Sequence, residues 1–176
     1  MIESWRWLRK TDAAVYDPVL RKLPKPAKEF LRDWWITQAR DEQLPPPGDW
    51  RLWLICAGRG FGKTRTGAEW VNAVARADCR ARIALVGASL TEVRAVMVEG
   101  ESGLLACSPG NSRPRFDPSL RRLVWPGGAQ AYLYSAAEPE SLRGPQHSHA
   151  WCTDPEGSVR QRGVLPGRHP VASGGR

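Results

Sequence analysis

The chain has 176 residues, 41% of them apolar and 25% charged, which suits one domain with a buried core and excludes a disordered composition. Its net charge is +8, and 21 of its 26 basic residues are Arg. Arg forks onto phosphate bidentately, so the charge reads either as a polyanion-binding surface or as a basic surface with no partner. No apolar run is long enough for a membrane-spanning helix, and the charged, aromatic start Met1-Ile2-Glu3-Ser4-Trp5-Arg6-Trp7 is no secretory leader; a cytoplasmic location is expected.

Residues 1–50 form a lead-in broken by Pro18, Pro24, Pro26 and Pro45-Pro46-Pro47. Within it, 27–40 reads as one helix with Phe30, Leu31, Trp34 and Trp35 on an apolar face, ended by the prolines. Leu52-Trp53-Leu54-Ile55-Cys56 is a short apolar run, expected as a strand buried on both faces. After a glycine-rich turn, a helix is expected over 64–77 and a second buried strand over 83–87. Thr91 is placed to cap a helix over 92–98, and 108–118 reads as a surface loop. Residues 120–125 and 130–134 flank Pro126-Gly127-Gly128 as a hairpin. Strand, loop, helix and strand at this spacing make a βαβ unit and hence a parallel sheet, in a domain over 51–152. Ten of the last 24 residues, 153–176, are Gly, Pro or Ser, so this tail is expected to be irregular or disordered. Cys56, Cys79, Cys107 and Cys152 form no C-x-x-C pair and read as small buried hydrophobes. His147 and His149 share a strand face but lack a third ligand nearby, which argues against zinc.

The turn Ala57-Gly58-Arg59-Gly60-Phe61-Gly62-Lys63-Thr64 fits the phosphate-binding P-loop pattern, with Ala57 in the first glycine position. Gly58, Gly60 and Gly62 allow a tight turn whose N–H groups point at phosphate oxygens. Lys63 brings a mobile charge to the β- and γ-phosphates, and the Thr64 hydroxyl suits magnesium. The following helix, with Arg65 in its first turn, offers its N-terminal dipole to the anion. The pattern follows a strand and opens a helix, which is the context it requires. ATP and Mg²⁺ are the ligands it implies.

The run Trp50-Arg-Leu-Trp-Leu-Ile-Cys-Ala-Gly-Arg-Gly-Phe-Gly-Lys-Thr-Arg-Thr-Gly-Ala-Glu-Trp70 resembles the corresponding region of phage and prophage terminase large subunits. Ser119-Leu-Arg-Arg-Leu-Val-Trp-Pro-Gly-Gly-Ala129 and Glu140-Ser-Leu-Arg-Gly-Pro-Gln-His147 resemble the same family, so the likeness covers about 27–152. It implies an α/β P-loop NTPase with a mostly parallel sheet flanked by helices, incomplete at its C-terminal end. It also implies ATP hydrolysis driving double-stranded DNA into a procapsid, with the small terminase subunit, the portal protein and a ring of like subunits as partners. By the same resemblance Arg59 is a cis arginine near the γ-phosphate and Arg143 a trans finger, the alternatives being a solvated loop residue and a structural ion pair. Gln43 resembles the adenine-reading glutamine, with a solvated polar residue as the alternative. Trp34, Trp35 and Trp50 flank the base or pack the core.

Family members continue their last ATPase strand into an Asp-Glu pair, the Asp holding magnesium and the Glu orienting water. Here His149-Ala-Trp-Cys152 is followed by Thr153-Asp154-Pro155-Glu156, so the candidates Asp154 and Glu156 are displaced and split by proline. The switch in composition motivates the hypothesis of a truncated chain whose reading frame shifts near Cys152. Other frames that encode no Asp-Glu continuation would refute it. No acidic cluster fit for a two-metal nuclease is present in the sequence. Two other readings stay open: a helicase or repair ATPase, which the upstream glutamine and basic charge also suit, and an inactive prophage remnant that only binds nucleotide.

Overall fold

The computed structural model describes Lys22, Pro24, residues 35–153 and the backbone of 159–163. Phe30, Leu31, Trp34, Asp154 and Glu156 therefore lie outside the described residues. The chain builds α1 (Trp35–Gln38), a 3₁₀ turn (Asp41–Gln43), β1 (Leu52–Ile55), α2 (Lys63–Ala77), β2 (Arg82–Gly87) and α3 (Leu90–Glu92). It continues through a π-helical turn (Val93–Val98), α4 (Leu104–Cys107), β3 (Arg115–Asp117), β4 (Arg122–Val124), β5 (Gln130–Ser135), β6 (His149–Thr153) and β7 (Val159–Gly163). No helix among the described residues is long and apolar enough to cross a membrane.

The strands form one mixed sheet in the order β1-β7-β6-β2-β5-β4-β3. β2 pairs in parallel with both β5 and β6, while the other pairings are antiparallel. The expectation of a mostly parallel sheet is thus corrected. Connection length is the reason: β3–β4, β4–β5 and β6–β7 are joined by links too short for a parallel crossover, which takes a dozen residues or more. Orientation nevertheless keeps the core parallel. β7 is antiparallel to both β1 and β6, so β1 points the same way as β6, β2 and β5. All four deliver their C-terminal ends to one edge, the edge at which open α/β sheets bind ligands.

The register sets Ile83 and Leu85 beside Ala131 and Leu133 on one side, and beside His149 and Trp151 on the other. This face is the core, shared with Trp53, Ile55, Val71, Val93, Met97, Val98 and Leu104. α2 lies directly on it. A side chain at Gly67 would overlap the indole of fully buried Trp151, so the absence of a Cβ allows helix and sheet to touch. Trp70 of the same helix meets the His149 ring at 5.8 Å, edge to face.

Several expectations are revised. β1 is an edge strand with one bare face, because Leu52 and Leu54 are 58% and 47% exposed while Trp53 and Ile55 are buried. Its continuous apolar run misled because only alternate residues meet α2 and the core. Residues 159–163, expected within an irregular tail, form β7. Val-Arg-Gln-Arg-Gly has no apolar alternation, and backbone pairing on both flanks recruits it. The helix after β2 is capped by Ser89, whose hydroxyl accepts from the Glu92 N–H at 3.1 Å, rather than by Thr91. The supposed loop 108–118 contains β3. No disulfide joins the four cysteines, but Cys56 and Cys79 are exposed, and only Cys107 is buried. Burial pushes the Cys107 thiol up to about 12.

Candidate functional site

The loop 57–62 joins the C-terminal end of β1 to the first turn of α2. Gly60 and Gly62 adopt φ of 77° and 87°, a left-handed conformation that favours glycine. Ala57, where the pattern has glycine, does not have a positive φ, so the departure carries no strain. It is half-buried and packs against the core. The Gly62 carbonyl accepts from the Thr66 N–H at 2.9 Å and the Thr66 hydroxyl at 3.1 Å. The N–H groups of Lys63, Thr64 and Arg65 precede that first helical bond and remain as terminal donors at the positive end of a 15-residue helix.

Lys63 folds back into the loop. Its ammonium donates to the carbonyl of Ala57 at 2.5 Å and of Gly58 at 3.0 Å. Beside it a cleft of about 530 Å³ is lined by Gly58, Gly60, Phe61, Gly62, Lys63 and Thr64, with Arg65 at its border. Ala95, Val96, Gly100, Glu101 and Ser102 form its far wall. Arg65 is held at 2.9 Å by Glu69 and stacks 5.6 Å from the Trp35 ring centroid. Burial raises the Glu69 carboxyl above the usual range, and the Arg65 charge offsets this in part.

Gln43 is buried, not solvated, and stands behind the loop. Its Nε2 donates to the Phe61 carbonyl at 2.6 Å, and its Oε1 accepts from the Arg40 N–H at 2.8 Å. The Arg40 guanidinium reaches the same carbonyl at 3.1 Å and lies 5.4 Å from the Phe61 ring centroid. A Cβ at Gly62 would come within 2.8 Å of Gln43 Nε2, so the contact depends on that glycine.

The remaining candidates are dispersed. Arg59 is exposed on the loop and makes no hydrogen bond or ion pair among the described residues. Arg143 lies outside the cleft and pairs with Glu140 at 2.8 Å on an exposed turn. Trp50 packs against Trp53 and Trp70, at centroid distances of 5.9 Å and 6.3 Å. β6 ends at Thr153, whose hydroxyl donates to the Val86 carbonyl at 3.4 Å, and Asp154 follows it in sequence. His147 bonds to the Tyr134 hydroxyl at 3.0 Å, and no group of metal-ligating residues exists among the described residues. Sequence reading missed the far wall, whose only signal is the spacing of Gly100 and Gly103 around Glu101-Ser102.

No curated protein and no solved structure matches the chain. Residues 54–156, which run from β1 through the glycine loop to just past β6, match the family model of the terminase large subunit, T4likevirus-type, N-terminal. More than half of the sequence is covered, and the chain belongs to the terminase large subunit family.

Proposed function

We propose that this chain is the P-loop ATPase part of a DNA-packaging terminase, binding Mg-ATP in the cleft beside Lys63. The observation that carries the reading is the position of the lysine. Its ammonium folds into a left-handed glycine turn and donates to the loop's own carbonyls, at the edge where β1, β2, β5 and β6 end. An incoming triphosphate supplies better acceptors than those carbonyls, so Lys63 turns outward to the β- and γ-phosphates. The free N–H groups of α2 and its dipole hold the same oxygens.

The residues present fit a hydrated magnesium ion. Thr64 lines the cleft two positions after Gly62, and the volume admits a triphosphate with an ion. Bound there with Thr64, and by the resemblance with Asp154, magnesium would neutralise charge on the β- and γ-oxygens. Arg59, exposed on the loop, is the candidate by resemblance to stabilise charge developing on the γ-phosphate. Gln43 retains a second N–H and lone pair for an adenine edge, the role the resemblance assigns it. Arg143 as a trans finger requires exchange of Glu140 for the phosphate of a neighbouring subunit.

In this reading hydrolysis drives double-stranded DNA into a procapsid in the host cytoplasm, alongside a small subunit, a portal and a ring of like chains. The family membership and Arg-rich composition support it. Phosphate release from ATP, with and without double-stranded DNA, is the test. Turnover that Lys63→Ala abolishes is expected. Equal turnover by Lys63→Ala would contradict the assignment, and binding without turnover would favour a remnant that only holds nucleotide.

A further inference from the structure

We propose that Arg40 and Gln43 are positioning residues that fix the Phe61–Gly62 peptide from behind the glycine loop, so that the Gly62 N–H meets a phosphate oxygen. The inference rests on the ATPase reading above. The Phe61 carbonyl accepts twice, from Gln43 Nε2 at 2.6 Å and from the Arg40 guanidinium at 3.1 Å. The Arg40 N–H in turn donates to Gln43 Oε1 at 2.8 Å. That donor requires the amide oxygen, which leaves the amide nitrogen for Phe61. Gln43 is buried, and the Arg40 guanidinium lies 5.4 Å from the Phe61 ring centroid, so both donors are held in place.

Phe61 and Gly62 line the cleft, whereas Arg40 and Gln43 do not. The Phe61 carbonyl is therefore drawn to the side of the loop away from the cleft. A trans peptide is planar, and its carbonyl and N–H point in opposite directions. The Gly62 N–H consequently faces the cleft, and it donates to no main-chain acceptor among the described residues. It stands directly before the N–H groups of Lys63, Thr64 and Arg65 that open α2. A left-handed Gly62 followed by helical residues turns these N–H groups into one concave run of donors, the arrangement that binds anions.

A flip of this one peptide would aim the Phe61 carbonyl, rather than the Gly62 N–H, at the phosphate. Two donors on the carbonyl oppose that flip. A Cβ at Gly62 would stand 2.8 Å from Gln43 Nε2, so the glycine also admits the donor that holds its own peptide.

This role involves no base, so inorganic tripolyphosphate is the probe. Its affinity and that of ATP, in magnesium, are measured by calorimetry for the native chain, Gln43→Glu, Arg40→Ala and Lys63→Ala. The Gly62 amide is followed by NMR in the same titrations. Gln43→Glu keeps an acceptor for the Arg40 N–H, but an ionised carboxylate cannot donate to Phe61. It is expected to weaken tripolyphosphate by roughly fivefold to thirtyfold and ATP by at least as much. Arg40→Ala removes an exposed side chain and weakens both ligands equally, by roughly twofold to fivefold. The Gly62 amide proton moves downfield as the native chain takes up tripolyphosphate, and the movement shrinks in both variants. A general loss of stability would not single out that amide. Should Gln43→Glu fail to fold, Arg40→Ala decides alone. Native tripolyphosphate affinity and a full Gly62 shift in the folded variants, with native binding that Lys63→Ala abolishes, overturn the positioning role and leave the ATPase reading intact. Weakening of ATP alone, with tripolyphosphate unchanged, overturns it equally and assigns Gln43 to the base. A native chain that binds neither ligand overturns both.

Discussion

The side-chain amide of Gln43 donates to the main-chain carbonyl of Phe61 at 2.6 Å, so a residue 18 positions upstream holds the glycine loop from behind. With Gln43 buried, truncation strands the Arg40 N–H and leaves the Phe61 carbonyl with only the exposed Arg40 guanidinium. Gln43→Ala is expected to destabilise the chain by about 1–3 kcal/mol and to weaken nucleotide binding through a looser loop. Thermal unfolding and ATPγS titration of the same variant check this. A variant with native stability would show that the bond contributes nothing.

The contact of Gly67 with Trp151 is equally specific. Gly67→Ala gains about 1 kcal/mol of helix propensity, but the added methyl overlaps the buried indole and forces α2 away from β6. Over-packing of about 1–3 kcal/mol outweighs the gain, so a lower midpoint in denaturant is expected. Gly67→Ala combined with Trp151→Phe removes the overlap and recovers part of the loss.

Burial pulls His147 and His149 below their ordinary value of 6.5, with Asp78 opposing the shift at His149. The unfolded chain then binds protons more readily than the folded chain below that value. Stability therefore falls as pH drops through about 6.5 towards the folded values, and this source adds no slope above it. Glu69 has the opposite sign. Its raised folded value means that stability falls as pH rises from 4.5 through that value, so acidification returns part of what the histidines lose. Thermal midpoints between pH 5 and pH 8 test the histidine slope. His147→Gln with His149→Gln is expected to flatten it, and an unchanged slope would assign the acid sensitivity elsewhere.

Much of the site was legible in the sequence because local chemistry fixes it. Glycines at 58, 60 and 62, followed by Lys63 and Thr64, dictate a turn and a helix start whatever the sheet does. The hairpin around Pro126-Gly127-Gly128 is likewise local, with β4 and β5 paired as expected. What escaped depends on distant partners. β7 carries no apolar alternation and is defined by pairing with β1 and β6. The exposure of Leu52 and Leu54 reflects which sheet face the helices cover, and a five-residue apolar run does not encode that. Gln43 resembles the adenine-reading glutamine in sequence, but its bond to Phe61 depends on the fold bringing the two together. The far wall around Glu101 is a meeting of two segments about 40 residues apart, with no motif of its own.

Calorimetric titration of the chain with Mg-ATP, beside Lys63→Ala, measures directly whether the glycine loop holds nucleotide. Saturable binding is expected, weakened by roughly tenfold to a hundredfold or more in Lys63→Ala, the loss of one or more charge-assisted hydrogen bonds to phosphate. Binding of equal strength in both chains, or none in a native chain that unfolds cooperatively, would contradict a nucleotide site at Lys63.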